Sequence, residues 1–253
     1  MNNNIGLVLS GGGARGAAHI GVLQALNENG IFPSHISGAS AGALIGALYC
    51  AGYSPLEMLE LSKNHTFLKI FKLGFINKSL TEMTHLKEFL HHVIKNDSFE
   101  NLKTPLFVSV TNLNSGANEI ISKGKLIESI IASCAIPLLF KPVTINENLY
   151  VDGGVLNNLP IEPLLKSCEK TIGISVCTHL FKPEIKGLKA ISERCIQLAI
   201  WNTMQERFKK CDISIEIDKS FSYSMFSLKN TDELFKIGYE TTMKHMNEIL
   251  EKI

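Results

Sequence analysis

Short apolar runs alternate along the chain with longer segments in which apolar residues recur every three or four positions. The apolar run Ile5–Leu9 predicts a buried strand, and a helical spacing of apolar residues follows from Ala17. Gly30 predicts the end of that first helix, and Pro33 prevents its continuation. The same order recurs further along the chain. The sequence therefore predicts an α/β fold, a three-layer sandwich around a mostly parallel central sheet.

The last third of the chain continues this alternation. We expect a strand over residues 171–177, a long helix over 189–208 with Trp201 in the core, an edge strand over 212–217, and one closing helix over 228–253. The sequence contains no internal repeat, low-complexity tract or Pro/Ser-rich linker. We therefore expect a single domain over residues 1–253.

Composition excludes several classes of protein. The 253 residues include 25 basic and 24 acidic ones, so the basic excess typical of nucleic-acid binding is absent. Six cysteines are scattered without a C-x-x-C pair, which argues against a zinc site or a disulfide framework and fits a reducing compartment. No stretch reaches the roughly 20 apolar residues that span a bilayer. We expect a soluble, cytoplasmic protein with no metal or cofactor.

The clearest candidate for chemistry is a serine flanked by glycines, in residues 38–42 (GASAG). The pattern lies between an apolar stretch ending near Ile36 and a run of small apolar residues from Ala43. A sharp strand-to-helix turn of this kind, a nucleophile elbow, exposes the hydroxyl of Ser40 and directs the amide of Ala41 toward a developing oxyanion. The alternative is an ordinary helix start capped by serine.

A glycine-rich loop after the first strand supports two interpretations. Its spacing, Gly11-x-Gly13-x-x-Gly16, matches the dinucleotide fingerprint of Rossmann-type proteins. However, residues 35–37 run into the serine turn without the acidic residue that binds a ribose. The other interpretation is a set of backbone amides facing an oxyanion, with the charge of Arg15 nearby. The pairing with Ser40 favours acyl transfer, while Arg15 alone also fits a surface helix start.

A serine nucleophile needs a base, and two candidates stay open. Asp152 follows a short apolar strand and precedes two glycines, although Asp-Gly is also a common turn pair. Among eight histidines, none lies beside a glycine turn or at a clear strand end. His179 follows the predicted strand over 171–177, so the chain order Ser40, Asp152, His179 also permits a triad.

Taken together, these motifs resemble those of the patatin-like phospholipases, in particular their compact single-domain bacterial members. Three blocks carry the resemblance: residues 11–16 (GGGARG), 38–42 (GASAG) and 152–154 (DGG). Supporting matches lie in residues 18–23, 133–137 and 158–160. The resemblance covers about residues 5–161, and one departure is Leu138, where the family often has glycine.

The resemblance implies a serine–aspartate dyad, with Ser40 as nucleophile and Asp152 as base. It also implies an oxyanion hole formed by the first glycine block, Gly11, Gly12 and Gly13, with Arg15 near it. Members of the family cleave fatty-acyl esters of phospholipids or lysophospholipids without a metal or cofactor. The expected partner is thus a lipid or acyl-ester substrate. A catalytically idle lipid-binding protein on the same fold is the third alternative.

Two aromatic segments bear on how a lipid would reach the site. Residues 67–76 mix aromatic residues with two lysines. That composition fits peripheral contact with a membrane, and it fits equally a cap helix packed on the core with its lysines in solvent. Residues 221–226 predict a second wall of the access route. Neither segment indicates a head group or a chain length.

Overall fold

The computed structural model describes residues 4–63, 83–181 and 183–253. The predicted segment 67–76 lies outside these residues. The described strands are β1 (Ile5–Leu9), β2 (His35–Ala39), β3 (Leu106–Asn112), β4 (Ala117–Ile121), β5 (Val143–Ile145), β6 (Asn148–Asp152), β7 (Lys170–Ser175) and β8 (Ile213–Glu216).

Helices connect most of these strands. They are α1 (Ala17–Glu28), α2 (Ala41–Cys50), α3 (Pro55–Ser62), α4 (Thr84–Val93), α5 (Leu126–Ser133), α6 (Leu164–Ser167), α7 (Gly187–Phe208), α8 (Thr231–Lys244) and α9 (Met246–Lys252). Short 3-10 turns at Gly13–Gly16 and Gly153–Val155 follow β1 and β6. Within the described part of the chain, no helix combines the length and the apolarity needed to cross a bilayer.

The described strands form a single mixed sheet. Its order is β5-β6-β3-β2-β1-β7-β8, and β4 also pairs with β3. The central strands β3, β2, β1, β7 and β8 are parallel, whereas β4 and β6 run antiparallel to β3. Helices cover both faces, and the core lies between them and the sheet. The predicted α/β fold with a mostly parallel sheet is confirmed.

The C-terminal third differs from the prediction in two details. The closing segment is two helices, because the chain turns at His245, whose amide bonds the carbonyl of Thr242 at 3.0 Å. This turn lets Met246 and Ile249 reach the core. Trp201 was expected in the core, but it is only half-buried and stacks on His179. The edge strand β8 lies where the alternation of residues 212–217 predicts it.

Candidate active site

The ends of β2 and β6 meet beside one edge of β3. Ala39 pairs with Ser109 in parallel register, and Asp152 pairs with the next residue, Val110, in antiparallel register. The two strands lie on the same edge, because β4 occupies the other edge over residues 108–112. Since they run in opposite directions, their carboxyl ends face each other. The sheet therefore brings Ser40, which follows β2, next to Asp152.

Ser40 occupies a strained turn between β2 and α2. Its backbone has φ 52° and ψ −122°, a left-handed φ that non-glycine residues adopt at a cost of about 1–3 kcal/mol. A Cβ at Gly42 would lie 2.2 Å from the carbonyl oxygen of Leu9, so only glycine permits this close approach of α2 to β1. The backbone has the geometry of a nucleophile elbow, as the glycine spacing predicts.

A serine at the end of α5 holds this turn in place. The amide of Ser40 donates a hydrogen bond of 2.8 Å to the Oγ of Ser133. The hydroxyl of Ser133 in turn donates to the carbonyl of Ser109 at 2.7 Å. Both serines are buried, so neither bond can be replaced by water at low cost. The strained backbone of Ser40 is thus tied to β3 through Ser133.

The hydroxyl of Ser40 lies close enough to the carboxylate of Asp152 to stabilise its ionised form. The amide of Gly154 donates a hydrogen bond of 2.7 Å to Oδ1 of the same carboxylate. The pKa of Asp152 is raised from 3.8 to about 6 by burial, which outweighs the lowering by the Ser40 hydroxyl and the Gly154 amide. A carboxylate with this pKa is a stronger base than an exposed aspartate, and it is still ionised at neutral pH.

The thiol of Cys134 is a second potential nucleophile beside Ser40. Burial raises the pKa of Cys134 well above its ordinary value, and the charge of Asp152 raises it further, while a hydrogen bond with Ser40 lowers it. The thiol is therefore protonated at neutral pH. Because thiolates rather than thiols are nucleophilic, Cys134 is chemically quiet here.

Among the described residues, three of the predicted oxyanion-hole amides bond no other group. Within the described part of the chain, the amides of Gly12 and Gly13 have no hydrogen-bond partner. The amide of Ala41, first residue of α2, has no carbonyl one turn earlier in its helix to bond with. Gly13 has φ 59°, and a Cβ there would meet the carbonyl oxygen of Met225 at 2.3 Å. The loop conformation therefore requires glycine at position 13.

Two of the five predicted oxyanion-hole residues, Gly11 and Arg15, donate hydrogen bonds to other groups. The amide of Gly11 donates to Oδ1 of Asn158 at 3.1 Å. The buried guanidinium of Arg15 donates to the carbonyls of Tyr223 (2.8 Å) and Phe221 (3.0 Å) and lies over the Phe221 ring. Arg15 therefore binds the segment 221–226 to the glycine loop.

Asn158 is a site residue for which the sequence gives no role beyond its place in a family match. Its Nδ2 faces the carbonyl of Gly11 at 3.4 Å, while its Oδ1 accepts from the amide of the same residue. A Cβ on Gly154 would lie 2.6 Å from that Oδ1, so Asn158 also packs against the Asp152 turn. This buried amide fixes the glycine loop relative to Asp152. The signal for it was two adjacent asparagines soon after the Asp-Gly-Gly block.

His19 also holds the glycine loop in place, through the residue that precedes it. It is fully buried in α1 and its Nε2 donates to the carbonyl of Ser10 at 2.9 Å. Burial lowers the pKa of His19 to about 4, and the bond to Ser10 raises it in part. The imidazole is therefore neutral. The hydroxyl of Ser10 accepts a bond of 3.0 Å from the amide of Val176, which joins the loop to the segment after β7.

The alternative base His179 has a different set of contacts. Its side chain is exposed, and its ring stacks on Trp201 with centroids 3.8 Å apart. Among the described residues, the groups that stabilise the ionised carboxylate of Asp152 are the Ser40 hydroxyl and the Gly154 amide. The described geometry thus gives the Ser40–Asp152 pair a direct contact and gives the triad none.

An apolar cleft opens at Ser40. It is partly open to solvent. The side chains that line it are mostly aliphatic, among them Ile20, Leu44, Ile45, Met83, Leu86 and Leu228. Leu138, near the cleft residue Ile136, has φ 70° and is exposed. Glycine would adopt that left-handed φ without strain.

A metal ion in a protein is usually held by three or more His, Cys, Asp or Glu side chains. In residues 4–63, 83–181 and 183–253, no three His, Cys, Asp or Glu side chains lie close enough together to hold one. The carboxylate of Asp152 faces the hydroxyl of Ser40 and the amide of Gly154.

Two relatives at the sequence level are neuropathy target esterases. The esterase sws of Drosophila melanogaster is 35% identical over 168 residues, which are 63% of this chain and 12% of that protein. The same esterase of Drosophila sechellia is 36% identical over 166 residues, 62% of this chain and 11% of that protein. This chain thus spans only about an eighth of the length of these relatives.

A solved structure and a family model complete the comparison. The crystal structure of VipD from Legionella pneumophila superposes with a TM-score of 0.57 at 17% identity, covering 97% of this chain and 67% of that chain. At this identity the likeness concerns the fold alone. The family model of the patatin-like phospholipases matches residues 7–165, which hold the glycine loop, the serine turn and Asp152. This chain therefore belongs to the patatin-like phospholipase family.

Proposed function

We propose that this chain is a lipid acyl hydrolase that cleaves fatty-acyl esters of phospholipids or lysophospholipids through an acyl-enzyme on Ser40. The observation that carries the proposal is the meeting of Ser40 and the buried carboxylate of Asp152 at adjacent strand ends, beside an apolar cleft. Membership of the patatin-like phospholipase family supports the same chemistry.

In the acylation step, Oγ of Ser40 attacks the ester carbonyl carbon while its proton moves to Asp152. Full transfer before attack is unfavourable, because even a carboxyl with a pKa near 6 is a far weaker base than an alkoxide. The proton therefore moves as the new C–O bond forms. The tetrahedral intermediate then collapses, and the protonated Asp152 returns the proton to the leaving alcohol.

Negative charge on the former carbonyl oxygen is stabilised by the free amides of Gly12, Gly13 and Ala41. Loss of one such donor costs about 10²–10³ in rate in other enzymes, so the three amides are a large part of the catalytic effect. Arg15 acts indirectly, because its hydrogen bonds hold the segment 221–226 against the loop that carries the amides. Gly11 acts likewise through its bond to Asn158.

Water completes the cycle by cleaving the acyl-enzyme. Asp152, again ionised, accepts a proton from the water as it attacks, and the same amides stabilise the second oxyanion. The serine then leaves with that proton and the fatty acid is released. One carboxylate thus acts as base and acid in both halves, which requires a pKa near the working pH.

The cleft favours an aliphatic acyl group, because its walls are made of Ile, Leu and Met side chains. We expect the purified protein to release fatty acid from lysophosphatidylcholine and from p-nitrophenyl esters, with kcat/KM rising as the acyl chain lengthens from acetate to octanoate. Mass spectrometry measures the fatty acid released from each of these substrates over time. Lipid binding without hydrolysis of any ester would instead support the idle lipid-binding alternative.

The acidity of Asp152 predicts the pH profile. Because the ionised carboxylate is the base, kcat/KM should rise as pH increases through about 6 and level off above it. Initial rates with p-nitrophenyl butyrate between pH 4.5 and 8.5 test this, with wild-type protein checked for folding at each pH by circular dichroism. A flat profile, or one that falls across this midpoint, would contradict the role of Asp152.

The link through Ser133 predicts a positioning effect. Ser133→Ala removes the acceptor of the Ser40 amide and leaves that buried N–H unpaired, so we expect kcat to fall at least tenfold and stability to fall by about 1–3 kcal/mol. Ser129→Ala is the matched control, since Ser129 is buried in the same helix but bonds only the carbonyl of Lys125. Equal kcat in both variants, measured at saturating ester, would remove Ser133 from the mechanism.

A further inference from the structure

A buried asparagine anchors the segment that follows Asp152. Asn157 is 1% exposed, and its side-chain amide uses both of its hydrogens. Its Nδ2 donates to Oε2 of Glu162 at 3.0 Å and to Oδ1 of Asn118 at 3.2 Å. Its Oδ1 accepts from the amide of Leu159 at 3.3 Å. Because rotation of this buried amide would leave polar groups unpaired, the bonds fix its orientation.

The backbone of Asn157 is tied to the turn that follows Asp152. Its amide donates to the carbonyl of Gly153 at 2.8 Å, and its carbonyl accepts from the hydroxyl of Ser109 in β3 at 3.0 Å. Gly153 lies so close to β3 that a Cβ there would be 2.1 Å from the carbonyl oxygen of Ser109. The next residue, Gly154, donates its amide to the carboxylate of Asp152. The place of Asn157 therefore bears on where that amide points.

The contacts of Asn157 continue outward to α7. Oε1 of Glu162 accepts a bond of 2.6 Å from Nε of Arg207, and both side chains are partly exposed. Burial raises the pKa of Glu162, but the hydrogen bonds it accepts and the charge of Arg207 outweigh this and place that pKa below its ordinary value. Glu162 is therefore ionised at neutral pH, and its two bonds are charge-assisted. We call Asn157, Glu162 and Arg207 the polar brace.

Asn118 fixes the inner end of the polar brace to the sheet. It lies in β4, and its Nδ2 donates to the hydroxyl of Ser109 at 2.8 Å and to the carbonyl of Val110 at 3.0 Å. Ser109 and Val110 are the residues of β3 at which β2 and β6 meet. The brace is thus anchored at the point of the sheet that brings the nucleophile and the base together.

We propose that the polar brace positions the base of the reaction: Asn157 holds the turn in which the Gly154 amide bonds the carboxylate of Asp152. The inference rests on the proposed function, in which that carboxylate takes the proton of the nucleophile. Among the described residues that line the cleft, none belongs to the brace. The brace therefore acts on the base rather than on substrate binding.

The expected consequence of losing the brace is a shift in the pH profile. Without the bond from Gly154 the ionised carboxylate of Asp152 is less stabilised, so its pKa should be higher. Among the described residues, the other groups that interact with this carboxylate are the hydroxyl of Ser40 and the thiols of Cys134 and Cys177. A substitution in the brace leaves all three of these side chains in place.

Asn157→Leu tests the proposal, because it removes the side-chain hydrogen bonds and adds no charge. We expect kcat with p-nitrophenyl butyrate to fall about tenfold or more, while KM changes by less than about twofold. The midpoint of the kcat/KM pH profile should rise by about half a unit or more. Rates are expressed per site labelled to completion by a fluorophosphonate probe, so unfolded protein does not contribute.

Glu162→Leu gives the same test at a partly exposed position, and it decides the proposal where Asn157→Leu does not fold. It removes an acceptor of Asn157 together with a negative charge. Loss of that charge alone would lower the midpoint, so a rise reports the lost contact. The matched control is Asn4→Leu, which removes a bond of 2.6 Å to the carbonyl of Ser167 at the start of β1. This control should keep wild-type kcat and midpoint.

An unmoved or lower midpoint in Asn157→Leu, or in Glu162→Leu where the first variant does not fold, would overturn the proposal and leave Asn157 a role in the fold alone. Wild-type protein that hydrolyses no ester would reject the proposed function instead. Carbon-13 NMR titration of the Asp152 carboxyl, assigned with Asp152→Asn, then decides the inference without catalysis. The same upward shift in Asn157→Leu would retain the contact with Gly154, and an unchanged titration would overturn it.

Discussion

Ser40→Ala should abolish covalent labelling by a fluorophosphonate probe and reduce ester hydrolysis to the background rate. The substitution removes the oxygen that attacks the ester carbonyl and that displaces fluoride from the probe. No other group at this position can act as the nucleophile. The expected loss in kcat is at least about 10⁴-fold, in line with removal of a nucleophile from other serine hydrolases. In-gel fluorescence and a p-nitrophenyl butyrate assay measure the two effects.

Cys134→Ala is the informative control for this experiment. Cys134 lies near enough to Ser40 for the hydroxyl to lower its pKa, but burial raises that pKa well above its ordinary value and keeps the thiol protonated. We therefore expect the cysteine variant to retain labelling by the probe, with any loss of rate smaller than that of Ser40→Ala. Labelling that persists in Ser40→Ala and disappears in Cys134→Ala would move the nucleophile to the thiol. Mass spectrometry of the labelled peptide identifies the modified atom independently.

The Ser40 turn and the glycine loop of this site could be predicted from the sequence. The elbow at Ser40 and the glycine loop are each marked by glycines within a few positions. Those glycines are needed because backbone or side-chain atoms lie within 2–3 Å of where a Cβ would be. Periodicity likewise indicates β1, α1 and β2. These are short-range effects, in which the residue type determines the backbone.

The partner of Ser40 required long-range information. Asp152 followed by glycine fits an ordinary turn equally well, and its role came from the resemblance to a family rather than from its spacing. What brings it to Ser40 is the pairing of β6 with the half of the β3 edge that β2 leaves free. Local propensity contains no information on which edge a strand joins or in which direction it runs.

The residues that support Ser40 and the glycine loop could not be predicted either, because their partners are also far away in the sequence. Ser133 bonds Ser40 across 93 positions, and Asn158 bonds Gly11 across 147 positions. Arg15 carries a charge that suits an oxyanion, yet its partners are two backbone carbonyls more than 200 positions away. Each is a buried polar group whose requirement for a partner could be anticipated, whereas the identity of that partner could not.

Asp152→Asn should remove most of the activity, since the amide cannot accept the proton of Ser40. A general base contributes about 10²–10⁴ in rate, and we expect a loss of kcat in this range. The substituted side chain can still accept from the amide of Gly154 through its oxygen and donate to Ser40 through its nitrogen, so the fold should persist. Asp218→Asn, a change of an exposed carboxylate, is the matched control and should leave kcat unchanged.

The same substitution should stabilise the protein at neutral pH. With its pKa raised from 3.8 to about 6, folded Asp152 retains its proton between these values while the unfolded chain has lost it, so stability falls as pH rises through this window. Above pH 6 the penalty reaches about 3 kcal/mol, from roughly two pKa units at 1.36 kcal/mol each. Asp152→Asn removes it, and scanning calorimetry should show a Tm higher by about 5–10 °C at pH 7.5 but little change near pH 4. If the Tm of Asp152→Asn at pH 7.5 were equal to or lower than that of wild-type protein, burial would not destabilise the ionised carboxylate. The pKa of Asp152 would then not be raised by desolvation.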